Sequence, residues 1–148
     1  MNVASGILPI AKDTGKICLA WRSPNVSDGN RWGVIGGMCK VGSSPEDSAV
    51  VELIEETGYI GAIQLHRAFV CRYRGFEYHN FIGVVPTAFT FAPDEAFKWE
   101  TSFIAWFSFS QVNMMVTEAP SKFHKGLIQL WKESNTLIAN ICSKICQF

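Results

Sequence analysis

The sequence lacks the features of a membrane protein, a nucleic-acid-binding protein or a secreted protein stabilised by disulfides. Its 13 basic residues balance 13 acidic ones, so no basic field is available to bind a nucleic acid polymer. No apolar run approaches the roughly 20 residues of a membrane span, and the N-terminus has no signal-peptide pattern. The five cysteines form no C-x-x-C pair, and their odd number favours reduced thiols. We therefore expect a cytoplasmic protein without a membrane or nucleic acid polymer partner.

Internal repeats, low-complexity tracts and long linkers are also missing from the 148 residues. A composition that is 48% hydrophobic and 18% charged is ordinary for a globular protein, and a chain of this length can bury a sizeable core. We expect residues 1–148 to form a single domain.

The most informative stretch is residues 36–59, which read GGMCKVGSSPEDSAVVELIEETGY. Ser44 can cap a helix, Pro45 suits the first helical position, and Gly58 suits a left-handed helix end. The pattern therefore predicts a helix over residues 45–57.

This predicted helix places Glu52, Glu55 and Glu56 on one face, because successive residues of a helix are about 100° apart. Like charges at this spacing repel, and a hard divalent cation that takes carboxylate oxygens would neutralise them. The simpler alternative is that these glutamates form an acidic helix face exposed to solvent. The glycines that flank the helix favour the metal site over this alternative. The apolar residues predicted to enter the core from the opposite side are Ala49, Val50, Leu53 and Ile54.

A set of spaced residues in this stretch resembles the Nudix box, G-x5-E-x7-R-E-U-x-E-E-x-G-U, where U is a bulky aliphatic residue. The matching positions are Gly37, Glu52, Leu53, Glu55, Glu56 and Gly58, with Tyr59 as a loose match at the end. The preceding residues 32–37, WGVIGG, are similar to the W-G-x-P-G-G lead-in of the family, with Ile35 in place of proline. Two positions depart from the box, since Ser43 replaces its first glutamate and Val51 replaces its arginine.

The resemblance to the Nudix family implies an α/β fold, an α/β/α sandwich whose mixed β-sheet is flanked by helices. It implies a hydrolase that uses Mg²⁺ or Mn²⁺ to cleave the pyrophosphate bond of a nucleoside diphosphate linked to another moiety. The expected partner is therefore a nucleotide-derived small molecule. The metal-binding residues implied by the resemblance are Gly37, through its backbone carbonyl, Glu52, Glu55 and Glu56. The implied catalytic residues are Glu52, Glu55 and Glu100.

Glu100 is a candidate because residues 106–108, WFS, resemble a late W-U-S strand of the family that an acidic residue often precedes. In several members such an acid supplies a metal ligand or a base. Glu95 is a weaker alternative, and either residue can instead be an ordinary surface charge.

Substrate contacts are predicted on a hairpin that turns at Gly75. In the family such strands line the substrate cleft, which suggests Arg72 or Arg74 as the residue that holds a phosphate. Tyr78 or Phe81 is the corresponding candidate for stacking on a base. Alternating aromatic residues are, however, more often part of a core or of a sheet surface.

The rest of the chain supplies the framework. Strands are predicted over residues 4–10, 17–22, 60–74 and 76–86, a connector over 110–120, and a helix over 121–148 with a break near Asn135 and Thr136. Loops 23–30 and 87–97 carry no recognisable motif, although such loops select the substrate in the family. His124, near the start of this helix, is expected to cap the helix or lie on the surface, and a position facing the cleft is the alternative. A homodimer through an apolar strand edge or the C-terminal helix is one open alternative.

The two departures from the box leave the activity open. In the family the replaced side chains help to orient the metal-binding carboxylates, and such losses commonly cost roughly 10- to 100-fold in metal affinity or activity. Ser43 and Val51 therefore fit a weakened or retuned enzyme, and also a nucleotide-binding module without catalysis. An isomerase of a small diphosphate shares this fold and would use Cys71 opposite an acid.

Overall fold

The computed structural model describes residues 2–145. Its β-strands are β1 (Asn2–Ala11), β2 (Ile17–Arg22), β3 (Trp32–Gly33), β4 (Ile35–Met38), β5 (Gln64–Tyr73), β6 (Phe76–Val85) and β7 (Thr101–Phe107). Its α-helices are α1 (Pro45–Thr57), α2 (Phe109–Glu118) and α3 (Lys125–Ile145), and short 3-10 turns cover Glu95–Phe97 and Pro120–Lys122. The strands predicted in the first 86 residues are present, with ends that differ by at most four residues.

β1 is the centre of a mixed sheet of seven strands within the described residues. One edge of β1 runs parallel to β6, from the Asn2↔Phe76 pair to the Ala11↔Val85 pair. Its other edge pairs antiparallel with β4 through residues 4–7 and with β2 near its end. β5 extends the sheet beyond β6, and β7 pairs antiparallel with β2. The diglycine segment of β4 therefore lies directly beside the N-terminal half of β1.

Helices cover both faces of this sheet, because successive side chains of β1 point to opposite sides. Ile7 enters a cluster with Ala49 and Leu53 of α1. The next residue, Leu8, enters a second cluster that includes residues of α2 and α3, such as Leu127. The layers form an α/β/α sandwich with a mixed sheet, so the predicted fold class is confirmed.

The ends of α1 are set by local contacts that the sequence predicts. The hydroxyl of Ser44 accepts a hydrogen bond from the Asp47 N–H at 3.1 Å, and Pro45 occupies the first helical position. At the other end Gly58 has a φ of 79°, and its N–H donates to the Ile54 carbonyl at 2.8 Å. The predicted helix over residues 45–57 is therefore confirmed at both ends.

The buried face of α1 differs from the prediction. Ala49 and Leu53 are 0% and 1% exposed, as expected, whereas Ile54 is 40% exposed and Val50 is half-buried. Glu56 is only 5% exposed and shares the inward side with Ala49 and Leu53. The reason is the helical angle, since Glu56 lies about 20° from Ala49 in projection. The acidic face therefore lies beside the apolar face and not opposite it.

Residues 110–120 contain most of α2, so the expected connector is wrong. The hydroxyl of Ser108 accepts from the Gln111 N–H at 3.1 Å, and the Gln111 side-chain oxygen accepts from the Ser108 N–H at 2.8 Å. This reciprocal capping box starts the helix, and Val112 anchors it in the core at 0% exposure. The Ser-x-x-Gln spacing was the sequence signal for this helix.

α3 is continuous, so the expected break near Asn135 and Thr136 does not occur. Its buried side chains recur at helical spacing and include Leu127, Leu130, Trp131, Ser134, Ile138 and Ile141. The last residues of the predicted helix, 146–148, lie outside the described residues. Within residues 2–145, no helix combines the length and the apolar character needed to cross a membrane.

The burial of α1 leads to a paired prediction on stability. Leu53→Ala should lower the free energy of unfolding by about 2–5 kcal/mol, because it leaves a cavity under the helix. Ile54→Ala, on the adjacent residue, should lower it by less than about 1 kcal/mol, because much of that side chain is already in solvent. Urea unfolding of both variants beside wild type gives the comparison, and equal losses would show that the two side chains are buried alike.

Candidate active site

The site begins where two glycines of β4 lie between β1 and α1. Gly36 and Gly37 pair with Gly6 and Ser5 of β1. A Cβ atom on Gly37 would lie 2.5 Å from Oε1 of Glu52, which is shorter than any normal contact. Glycine at position 37 therefore lets the carboxylate of α1 lie against the backbone of β4.

Three carboxylates from two elements converge at this point. Glu52 and Glu56 project from α1, and Glu100 immediately precedes β7. One carboxylate oxygen of each lies within 4.8 Å of the others. The carbonyl of Glu100 accepts a hydrogen bond from the Ser23 N–H at 3.0 Å, which fixes this residue beside the end of β2. The pairing of β7 with β2 thus brings together residues that are far apart in the chain.

Glu56 is the most buried member of this acidic cluster, which consists of Glu52, Glu56 and Glu100. Its Oε1 accepts a hydrogen bond from the Thr101 hydroxyl at 3.0 Å. Its Oε2 is buried, and no group within the described residues hydrogen-bonds it. Burying a charged carboxylate oxygen without a hydrogen-bond donor lowers the stability of the fold. Either a bound proton or a bound cation would remove this penalty at Oε2 of Glu56.

Burial is the largest cause that raises the pKa of all three carboxyl groups. The charges of Glu100 and Glu55 add to the effect at Glu52 and bring its pKa to about 7. The pKa of Glu56 is raised well above its ordinary range by burial and then by Glu100 and Glu52, although the hydrogen bond from Thr101 opposes this. The pKa of Glu100 is raised by burial and then by Glu55. Without a cation, the cluster therefore holds protons near neutral pH.

The donor set of this cluster fits a divalent cation. Hard cations such as Mg²⁺ and Mn²⁺ bind carboxylate oxygens, and here such oxygens converge from three side chains. The buried Oε2 of Glu56 is aimed at no protein donor in the described part of the chain, which is the state expected of a cation ligand. The residues present therefore fit the metal that the resemblance implies.

Glu55, a predicted metal-binding and catalytic residue, lies outside the converging set. Its Oε1 is 3.8 Å from Nζ of Lys40, a residue of the loop between β4 and α1. Its charge still raises the pKa of Glu52 and Glu100, so it lies at the margin of the cluster. Ser43 and Val51, which replace the expected glutamate and arginine, are both exposed.

One cavity borders this cluster, and a second cavity adjoins the first. The smaller, about 180 Å³, is lined by residues that include Glu56, Glu100 and Thr101. The larger, about 820 Å³, opens between the sheet and the start of α3. Its lining includes Met38, Cys71, Phe76, Tyr78, Arg22, His124 and Lys125. Arg22, Val34 and Gly36 line both cavities.

The predicted substrate residues are distributed differently from what was expected. Tyr78 lines the larger cavity, but Arg72 and Arg74 are exposed and are not among the residues that line either cavity. The Arg72 guanidinium donates to Oε1 of Glu77 at 3.2 Å instead. Phe81 is 1% exposed and packs in the core cluster under α1, so its prediction as a base-stacking residue is wrong. Alternation in the strand placed Phe81 on a face that α1 covers.

Sequence reasoning gave no site role to Arg22 or Lys125, which line the larger cavity, and it favoured a capping or surface position for His124 over a cleft position. Arg22 ends β2, and its guanidinium donates to the carbonyls of Ser27 and Asp28 in the following loop. His124 was expected to cap or lie on the surface, and its Nδ1 accepts from the Gly126 N–H at 3.0 Å at the start of α3. Burial lowers the pKa of His124, and the nearby Arg22 lowers it further. The polar loop 23–30 was the only sequence signal for this rim.

The fold and site together define an α/β protein with a cluster of three converging carboxylates beside a cavity of about 820 Å³. The NUDIX domain model matches residues 1–129, and the chain belongs to this family, that of the Nudix hydrolases. None of the curated proteins is a significant match.

Solved Nudix structures share the fold. The Nudix hydrolase RenU from M. smegmatis has a TM-score of 0.74 at 21% identity, over 93% of this chain and 86% of that chain. A NUDIX family hydrolase from Clostridium perfringens has a TM-score of 0.66 at 15% identity, over 92% and 97% of the two chains. A C. elegans Ap4A hydrolase binary complex has a TM-score of 0.66 at 14% identity, over 95% and 99%. At sequence identities this low, the similarity shows a shared fold alone.

The raised pKa values predict how pH changes the stability of the metal-free protein. The pKa of Glu52 is about 7 in the folded protein and about 4.5 for an ordinary glutamate, and the pKa values of Glu56 and Glu100 are raised in the same direction. The stability that comes from protons bound to the folded cluster is therefore complete below the ordinary value and is lost as the pH rises through the raised ones. In chelator, the thermal midpoint of wild type relative to Glu56→Gln should therefore fall between pH 5.5 and 8. Excess Mg²⁺ or Mn²⁺ at pH 8 should raise the midpoint of wild type and not that of the variant.

Glu95→Gln is the matched control, because the Glu95 side chain is 88% exposed and outside the cluster. It should follow wild type in both series. Two results would contradict the coupling of burial and cation binding at Glu56. One is a thermal midpoint of wild type that rises with pH relative to Glu56→Gln, and the other is a wild-type midpoint that neither Mg²⁺ nor Mn²⁺ changes.

Proposed function

We propose that this protein is a Nudix-type hydrolase that cleaves the pyrophosphate bond of a nucleoside diphosphate linked to another moiety, with Mg²⁺ or Mn²⁺ as cofactor. The observation that carries the proposal is the convergence of Glu52, Glu56 and Glu100 around a buried carboxylate oxygen without a protein donor. The proposed substrate class rests on the family and on the positive side chains of Arg22 and Lys125, which line the larger cavity.

The proposed roles follow from the position of each side chain. Glu52 and Glu56 hold the cation, with Gly37 giving Glu52 room and with Thr101 fixing the orientation of Glu56 through its hydroxyl. A bound divalent cation supplies charge neutralisation to the phosphates and lowers the pKa of water. Glu55, at the margin of the cluster, supports it electrostatically.

Glu100 is the proposed general base. It comes from a different element than the two carboxylates of α1 and faces them, and it is half-buried. The pKa of Glu100 is raised toward neutral pH, and a base with a pKa near the working pH both accepts and releases a proton efficiently. In this role its carboxylate takes the proton of the attacking water while the phosphorus–oxygen bond to the leaving phosphate breaks.

A nucleotide-binding module without catalysis is the second candidate, and the departures at Ser43 and Val51 favour it. Both positions are exposed, and neither belongs to the group of converging carboxylates, which favours retained chemistry. An isomerase needs an acid opposite Cys71. Cys71 lines the larger cavity, but none of the described residues that line it is a carboxylate.

Turnover of a substrate panel tests the proposal. Wild type with Mg²⁺ is incubated with nucleoside diphosphates linked to sugars, alcohols or a second nucleotide, and the phosphate released after phosphatase treatment is measured. Dinucleoside polyphosphates belong in the panel because one structural neighbour is an Ap4A hydrolase. Glu56→Gln should lower kcat/KM by at least about 100-fold, since loss of supporting residues alone costs roughly 10- to 100-fold.

Glu95→Gln controls for the loss of one negative charge and should stay within about twofold of wild type. Binding of panel compounds without turnover would support the module. Turnover that survives both Glu56→Gln and removal of the metal would place the chemistry elsewhere.

A further inference from the structure

We propose that the Tyr78 hydroxyl donates a hydrogen bond to a phosphate oxygen of the substrate at the junction of the two cavities. The inference deepens the proposed function and rests on it for the identity of the ligand as a phosphoanhydride. It replaces the stacking role predicted for Tyr78 by a polar one.

The position of this hydroxyl is set by two glycines that face each other across β1 and β4. Gly6 and Gly36 are register partners in the sheet. A Cβ atom would lie 2.3 Å from the Tyr78 hydroxyl oxygen if built on Gly6, and 2.4 Å if built on Gly36. The phenol therefore occupies the space that two missing side chains leave, and it lies on the backbone instead of standing free as a stacking surface.

The hydroxyl has no protein partner within residues 2–145, whereas the Tyr59 hydroxyl donates to the Ala62 carbonyl. A partly buried phenol normally finds an acceptor for its O–H. Tyr78 lines the larger cavity, and Gly36, against which its hydroxyl lies, lines both cavities. The donor is therefore placed where a ligand that spans the two cavities would pass.

The charges around this junction favour an anionic acceptor. Arg22 and Lys125 line the larger cavity, and no carboxylate does so in the described part of the chain. Glu52 and Glu56 project from α1. Burial is the largest cause that raises the pKa of Tyr78, and the charges of Glu56 and Glu52 raise it further. The phenol stays protonated at neutral pH, so its hydroxyl can donate a hydrogen bond. The positive side chains of Arg22 and Lys125 attract anions, so a phosphate oxygen is the acceptor that fits this place.

Tyr78→Phe tests this contact, because it removes the hydroxyl and keeps the ring. The probe is imidodiphosphate, a pyrophosphate analogue with nitrogen in place of the bridging oxygen, titrated in Mg²⁺ by calorimetry. Its Kd should rise about 10-fold or more, the effect of losing a hydrogen bond to a charged group. The same variant should lower kcat/KM on the best panel substrate by a similar factor.

Tyr73→Phe is the matched control, since Tyr73 is 67% exposed and is not among the cavity-lining residues. It should bind and turn over like wild type. The thermal midpoint of Tyr78→Phe should stay within about 2 °C of wild type, because the hydroxyl has no protein partner to lose.

The outcomes separate this inference from the proposed function. Equal affinity of wild type and Tyr78→Phe for imidodiphosphate overturns the inference, even if wild type is an active hydrolase. A large loss of thermal stability in Tyr78→Phe overturns it as well, by revealing a structural role for the hydroxyl. Tyr78-dependent binding by a protein that hydrolyses no panel compound upholds the inference and overturns the proposed activity. Absence of any imidodiphosphate binding to wild type overturns the inference.

Discussion

Repulsion among partly buried carboxylates is the constraint around which this molecule is arranged. Glu52, Glu56 and Glu100 lie close together, and burial raises the pKa of each before their mutual charges raise it further. Such an arrangement lowers the stability of the metal-free protein at neutral pH, and the proposed divalent cation would relieve the repulsion. The Thr101 hydroxyl satisfies only one oxygen of Glu56. The other oxygen has no donor among the described residues, which is the state expected of a cation ligand.

Close approach of backbone and side chains makes this arrangement possible. The strand pair of β1 and β4 carries Gly6, Gly36 and Gly37, and a Cβ on any of them would meet an atom at 2.5 Å or less. On one side the missing side chains make room for Glu52, and on the other they make room for Tyr78. A single strand pair thus lies between the carboxylate of Glu52 and the hydroxyl of Tyr78, and both groups lie close to its backbone.

Local signals in the sequence predicted local structure well. The cap at Ser44 and the left-handed Gly58 defined α1 at both ends, because these contacts form within one turn of the helix. The capping box of Ser108 and Gln111 carried the same kind of information, although the segment was assigned to a connector. Ile54 and Phe81 were misassigned for a different reason. Periodicity shows that a residue shares a face with others, but the neighbour that packs on that face decides whether it is buried.

By itself the sequence determined the family, the helix that carries the glutamates and the glycine turn before it, because spacing along one helix fixes which side chains are neighbours. The resemblance suggested Glu52, Glu55, Glu56 and Glu100 as site residues, and the tertiary structure decided which of their carboxylates converge. It placed Glu100 beside the carboxylates of α1 through the pairing of β7 with β2, and it left Glu55 beside Lys40. It also placed Arg22, Tyr78 and Lys125 around one cavity. These placements depend on strand register and on which face each layer covers, and both are set by packing between segments far apart in the chain.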